Sequence, residues 1–109
     1  MKSYKVLIVD DYPAQQDDVA ETLQFSSKLP YEPLKAGSGH DALLHYYANF
    51  DIALVILDTD LNPTQEKGWQ VYDQLKAAGY TGPALARSAR DADPEWEKRN
   101  VQEECSILR

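Results

Sequence analysis

Tyr4-Lys5-Val6-Leu7-Ile8-Val9-Asp10-Asp11 is the stretch on which the fold turns. Its first six residues are short, β-branched and almost wholly apolar, the composition of a strand buried on both faces, and two carboxylates follow at its carboxyl end. Such a strand belongs in the middle of a parallel sheet. Asp11 is placed to cap a helix with Pro13 in its first turn, and Val19, Ala20 and Leu23 give that helix an apolar stripe before Ser26-Ser27 and Pro30 stop it.

Outward from there, Tyr31 to Ala36 reads as a weaker strand, and Pro33, which cannot donate to a ladder, puts it at a sheet edge. Ser38 to Ala48 reads as a helix, and Ile52 to Leu57 as the second strongly apolar strand, ending at Asp58. The run Asp60-Leu61-Asn62-Pro63-Thr64-Gln65-Glu66-Lys67 is too rich in breakers for regular structure; a helix follows from about Gly68 to Ala78, with Gly79 as its C-cap. Gly82-Pro83 introduces a strand over Ala84 to Ser88. Asp93-Pro94 starts a helix expected to run to about Glu104, which leaves Cys105 to Arg109 for a truncated last strand. The alternation predicts an α/β fold, a doubly wound parallel sheet with right-handed crossovers. In such sheets ligands bind beyond the carboxyl ends of the strands.

Composition bounds the rest. The 109 residues carry no internal repeat and suit one domain over residues 1–109. Hydrophobic residues at 43% and charged residues at 27% are those of a globular fold. Eighteen acidic against eleven basic residues, a net charge of −7, exclude non-specific nucleic-acid binding and disfavour an anionic membrane surface. No segment reaches the roughly 20 apolar residues of a membrane span. Val6 to Val9 ends in aspartates with no small-residue cleavage site, so it is not a signal peptide, and the single Cys105 forms no internal disulfide. The expected compartment is cytoplasmic.

The three best strands end in Asp10-Asp11, Asp58 and Ser88. If those strands are neighbours, the acids converge and repel. Proton uptake or a hard cation makes such a cluster tolerable, and Mg²⁺ suits it better than Ca²⁺, because no stretch offers a full Ca²⁺ cage. Turn formation or helix capping explains any one of these residues singly. All four at the ends of three apolar strands point to a site.

These segments resemble the receiver domain of two-component response regulators, the CheY-like family. The matching pieces are Val6-Leu7-Ile8-Val9-Asp10-Asp11, then Ala36-Gly37-Ser38-Gly39-His40-Asp41-Ala42-Leu43, then Val55-Ile56-Leu57-Asp58 with Leu61, Pro63 and Gly68, and finally Pro83-Ala84-Leu85-Ala86-Arg87-Ser88-Ala89. They occur in the family's order and cover residues 4–90. The resemblance implies a flavodoxin/CheY-like sheet of order 2-1-3-4-5. It implies Asp58 as phosphoacceptor from a phosphohistidine on a sensor histidine kinase or phosphotransfer protein, with self-phosphotransfer and autodephosphorylation as the only chemistry. Mg²⁺ would be held by Asp10, Asp11, Asp58 and the backbone carbonyl of Asp60. Ser88 would donate to a phosphoryl oxygen, shifting the following loop and biasing the helix that starts at Pro94.

Several departures from the family pattern stand beside the match. The family's lysine has no clear counterpart; Arg109 falls nearest its place and Lys67 is a second cation in the neighbourhood, while Ile107 stands nearest the expected aromatic. Pro63 comes one position late in a lengthened loop, and Asp60 and Arg90 fall at positions which, in the family, tune phosphoryl arrival and release. Arg87 replaces an apolar residue, for which a snorkelling side chain is favoured over an anion-binding role. The sequence also stops before the family's last helix, which predicts an apolar face covered by a second copy, a partner or residues beyond Arg109.

Other residues carry blander expectations. His40 and His45 read as solvated helix residues, and Asp17-Asp18 and Glu103-Glu104 as solvated faces. Cys105 reads as a small buried hydrophobe. Trp69 and Trp96 read as packing residues at helix starts, with partner contact as the alternative for Trp96. Two functional alternatives remain beside the phosphoacceptor: a pseudo-receiver that signals by binding alone, and a haloacid-dehalogenase-like phosphatase built on Asp58-Thr59-Asp60. Only 51 residues follow Asp58, and the acidic pair precedes it, which disfavours the phosphatase.

Overall fold

The apolar run that opens the chain is strand β1 (Tyr4–Val9), and it is the middle of a parallel ladder. The computed structural model describes residues 4–26, 30–49, 51–61, 66–88 and 93–105, less the side chains of residues 15, 18, 22–26, 60, 88, 104 and 105. On one side β1 pairs with β2 (Tyr31–Ala36) and on the other with β3 (Ile52–Asp58). Helices α1 (Pro13–Ser26) and α2 (Gly39–Ala48) make the crossovers around these strands. Two short strands, β4 (Asp60–Leu61) and β5 (Glu66–Lys67), precede α3 (Gly68–Ala78); β6 (Ala84–Ser88), α4 (Pro94–Lys98) and β7 (Gln102–Cys105) complete the described chain. The sheet runs β2-β1-β3-β6-β7 with every pairing parallel. Numbered among its own five strands the order is 2-1-3-4-5, as expected.

Period-two alternation divides the core. Leu7, Val9, Val55, Leu57 and Ala86 face α2, α3 and α4, where they meet Ala42, Val71, Leu75 and Trp96. Val6, Ile8 and Ile56 face Val19 and Ala20 of α1, with Leu54 and Leu85 partly buried beside them. A strand wanted on both faces must be apolar throughout, which is why β1 and β3 were legible as strands. Pro33 lies on the edge strand β2, opposite Val6, where its missing N–H costs no ladder bond on the open side.

Local signals set the helix ends. Ser38 Oγ accepts from the Asp41 N–H at 3.2 Å to start α2, and Asp93 Oδ1 accepts from the Glu95 N–H at 3.0 Å, with Pro94 next, to start α4. Gly79 adopts φ 118°, the left-handed cap that ends α3. Tyr80, buried just beyond, donates its phenol to the Pro83 carbonyl, and burial pushes its pKa up to about 12.

Two expectations are corrected. The helix expected to reach Glu104 is five residues long and ends at Lys98. Asn100 turns the chain with φ 56°, and the Val101 N–H bonds back to the Trp96 carbonyl at 3.0 Å. Asparagine tolerates that left-handed conformation, so it does here what glycine does after α3. The last sheet strand is therefore Gln102–Cys105, earlier than expected, and Ile107 and Arg109 lie outside the described residues. Glu103 accordingly sits on a strand rather than a helix face, and its carboxylate accepts from the Asp93 N–H at 3.1 Å. The second correction is the run from Asp60 to Lys67. It contains an antiparallel ladder, Asp60 opposite Lys67 and Leu61 opposite Glu66, anchored by the fully buried Leu61; residues 62–65, Pro63 among them, lie outside the described set.

Helix α4 is tied to α3 by Arg99. Its guanidinium donates to both carboxylate oxygens of Asp73 at 2.7 and 2.8 Å and to Glu95 Oε1 at 2.9 Å, and it stacks 4.5 Å from the centre of the Trp69 ring. Among the described residues no helix is long and apolar enough to cross a membrane.

Candidate functional site

Strand register brings the acids together. Val9 stands opposite Leu57 on adjacent parallel strands, so Asp10 and Asp58, one residue further on, emerge side by side at the carboxyl edge. Asp11 follows in the turn into α1. One carboxylate oxygen from each of Asp10, Asp11 and Asp58 lies within 4.8 Å of the others. Asp10 is buried at 6% exposure, whereas Asp11 and Asp58 are half-buried. This is the convergence expected of the strand ends, and the two chain segments that supply it are 47 residues apart between Asp11 and Asp58.

Asp10 is fixed from all sides. Its Oδ1 accepts from the Tyr12 N–H at 2.9 Å, its own N–H reaches the Ala36 carbonyl at 2.9 Å, and Gln16 Nε2 donates to its carbonyl at 2.5 Å. Burial raises its pKa above the ordinary carboxylate value; the Tyr12 N–H opposes this, the neighbouring Asp11 charge adds to it, and the Arg87 cation works against it. A native pKa above the unfolded one means that the folded protein holds the proton more tightly. Stability from this group is complete below pH 3.8 and is lost as pH rises through the native value. Asp10→Asn keeps the Tyr12 bond and removes the charge, so it should stabilise the metal-free protein at pH 7 by roughly 1 kcal/mol after solvent screening. Thermal melts at pH 7 and pH 3 check this: the gain should be present at the first and vanish at the second.

Asp58 is held by its neighbour. Its Oδ1 accepts from the Thr59 N–H at 2.9 Å, and that N–H also reaches the Arg87 carbonyl at 3.1 Å. The Thr59 hydroxyl donates to the same carbonyl at 3.3 Å and accepts from the Trp96 indole Nε1–H at 3.3 Å. A continuous path thus runs from the Asp58 carboxylate through Thr59 to the buried centre of α4. The Gly68 N–H completes the frame by donating to the Thr59 carbonyl at 2.8 Å. Thr59 was missed as a functional residue in the sequence, where it read only as the spacer of Asp58-Thr59-Asp60. No local signal marks it, because its partner Trp96 lies 37 residues away.

The remaining sequence candidates are only partly among the described residues. Ser88 ends β6 opposite Cys105, but the side chains of both lie outside the described set, as does that of Asp60, whose backbone belongs to β4. Arg90 lies outside the described residues altogether. Lys67 is exposed on β5. His40 is exposed on α2, and His45 Nε2 is within 2.9 Å of the Lys35 carbonyl. Asp17 is exposed and paired with Lys35 at 2.5 Å. Trp96 is fully buried and packs in the core, as expected of a packing residue, and the alternative of partner contact falls away. Glu66, unremarked in the sequence, accepts from the Gly39 N–H at 2.9 Å and ties the ladder beside the site to the start of α2.

The donor set suits a hard divalent cation. Three carboxylates converge on one point, one buried and two open toward water, leaving positions for retained waters as Mg²⁺ prefers. No family model and no curated protein matches the chain. Solved structures do. The N-terminal domain of a response regulator receiver protein from Methanoculleus marisnigri JR1 is 26% identical over 95% of this chain and 85% of its own, with a TM-score of 0.76. A receiver domain from Methylobacillus flagellatus is 24% identical over 94% and 84%, with a TM-score of 0.75. One from Methanospirillum hungatei JF-1 is 16% identical over 99% and 85%, with a TM-score of 0.79. The chain has the receiver-domain fold.

Proposed function

We propose that this chain, folded as a receiver domain, accepts a phosphoryl group on Asp58 and uses it to change its interactions with a partner. The observation that carries the reading is the meeting of Asp10, Asp11 and Asp58 at one edge of the sheet, a charge cluster that folding alone does not require. Asp58 is half-buried at the end of β3 and Thr59 fixes its Oδ1, which supports it as the acid that meets the incoming phosphorus. In the reaction an Asp58 carboxylate oxygen bonds to phosphorus as the bond between phosphorus and the donor's imidazole nitrogen breaks. The electron pair stays on that nitrogen, which takes up a proton. The donor is a phosphohistidine on a sensor histidine kinase or phosphotransfer protein.

Mg²⁺, held by Asp10, Asp11 and Asp58 with the Asp60 carbonyl as a further ligand, would supply neutralisation of the phosphoryl oxygens. The chain's own residues do the positioning. Asp10 and Asp11 hold the cation site, Thr59 orients the nucleophile, and Ser88 at the end of β6 donates its hydroxyl to the phosphoryl group. Partners include, on this reading, a second copy or another protein packed over Leu54 and Leu85, which stay partly buried on the α1 face.

With Mg²⁺ and acetyl phosphate, intact-mass measurement should find one phosphoryl adduct on the protein and none on Asp58→Asn. Mg²⁺ at ten times its Kd should also stabilise the native protein by about 1.4 kcal/mol. The second reading is a pseudo-receiver, favoured by the absence of any lysine after Lys98. Failure to form an adduct under any phosphodonor would establish it instead, and steady release of phosphate from monoesters would move the assignment to the phosphatase class.

A further inference from the structure

Arg87 is the anomaly of the strand ends. It follows Ala84-Leu85-Ala86 in a buried strand, where a charged side chain has no structural purpose of its own. Alternation fixes its face. Leu85 packs with Val6, Ile8 and Ile56 on the α1 side of the sheet, and residues 87, 10 and 58 each lie two positions beyond Leu85, Ile8 and Ile56. Asp58 stands opposite Arg87 in register, so Asp10, Asp58 and Arg87 form one row across β1, β3 and β6. Neighbouring strands are about 4.8 Å apart, a gap that a guanidinium on its three-carbon stem spans.

Most of the other described cations are engaged elsewhere. Lys5 pairs with Asp51, Lys35 with Asp17, Lys98 with Glu95, and Arg99 with Asp73 and Glu95, while Lys76 lies over the Tyr72 ring and Lys67 is exposed. Arg87 is half-buried, and among the described residues its guanidinium has neither an ion pair nor a side-chain hydrogen bond. Its backbone is nonetheless locked, because its carbonyl takes both the N–H and the hydroxyl of Thr59. The residue opposite Asp58 in register is therefore a rigidly based cation with no hydrogen-bonded side-chain partner among the described residues.

We propose that Arg87 binds the phosphoryl group on Asp58, filling the part that a lysine plays in receiver domains. The inference rests on the phosphoacceptor reading and adds to it the residue that supplies the missing positive charge. Phosphorylation replaces one negative charge at Asp58 by about two beside Asp10 and Asp11, and a planar guanidinium can donate two parallel bonds to such an oxyanion. Before phosphorylation the same cation competes with a divalent ion for the three carboxylates. Arg87 therefore opposes Mg²⁺ and favours the phosphoryl group. A guanidinium that merely snorkelled, or paired with Glu104, its register neighbour on β7, would have neither effect.

Calorimetric titration of the full chain with Mg²⁺, then with beryllofluoride at saturating Mg²⁺, tests this on Arg87→Met, Arg87→Gln and Arg87→Lys. The neutral variants should bind Mg²⁺ several-fold more tightly and beryllofluoride about tenfold more weakly, the scale of one lost charge-assisted bond. Arg87→Lys should restore most of the beryllofluoride affinity. Unchanged affinities, or both weakened together in a folded neutral variant, would overturn the role of Arg87. Should Arg87→Met not fold, Arg87→Gln and Arg87→Lys decide by the same criterion. Wild-type protein that binds neither Mg²⁺ nor beryllofluoride would sink the phosphoacceptor reading itself; normal wild-type binding with indifferent variants would sink only this inference.

Discussion

Gly68→Ala should destabilise the protein by roughly 3 kcal/mol or more and abolish adduct formation on Asp58, although the substitution lies at the first residue of a helix. Helix propensity alone predicts the opposite sign, since alanine is about 1 kcal/mol better than glycine inside a helix. The close approach of β3 decides it. A Cβ on Gly68 would overlap the Asp58 carbonyl oxygen and come within 2.9 Å of Trp96 Cζ2. One of those neighbours is backbone and the other is a fully buried ring, so neither yields cheaply. The Gly68 N–H bond to the Thr59 carbonyl prevents α3 from simply sliding away. Urea denaturation gives the stability, and mass measurement after acetyl phosphate gives the adduct. A variant as stable as the parent would refute the close packing of α3 on the phosphoacceptor strand.

The second large effect is expected at Trp96. Truncation to alanine removes the largest fully buried side chain among the described residues and should cost about 3–5 kcal/mol. Trp96→Phe is the more informative change. It keeps most of the apolar burial and the edge contact with Tyr72, whose ring centre lies 6.4 Å away, but it deletes the indole donor to Thr59. The cost should fall to about 1–2 kcal/mol. Its functional consequence is larger than its energetic one. Thr59 links the Asp58 carboxylate to α4 through that indole, so the beryllofluoride-induced change in amide hydrogen exchange over α4 should disappear in Trp96→Phe while beryllofluoride affinity stays within a few-fold. A full response surviving in Trp96→Phe would mean that α4 is not read through Thr59.

Both predictions concern residues whose importance lies in what is packed beside them. Gly68 was read in the sequence as the start of a helix and as part of a family motif; only the distance to Asp58 explains why it is glycine. Trp96 was read as a packing residue with partner contact as the alternative, and its burial removes that alternative. For Arg87 the sequence favours a snorkelling side chain over an anion-binding role, and only register aligns it with Asp58 and Asp10.

What the amino-acid sequence determined unaided were the features encoded by neighbours along the chain. Continuous apolar runs with acids at their ends placed β1 and β3, Pro33 placed an edge strand, and Ser38, Gly79 and Asp93-Pro94 marked helix ends, because burial on both faces, missing donors and caps are local physics. The tertiary structure alone decided where α4 stops and β7 begins, that Leu61 anchors a small ladder, that Thr59 bridges Asp58 to Trp96, and which cation shares a row with the acids. Each of those depends on register or contact between segments far apart in the chain, and hydrophobic patterning is blind to which distant strand a residue will stand beside.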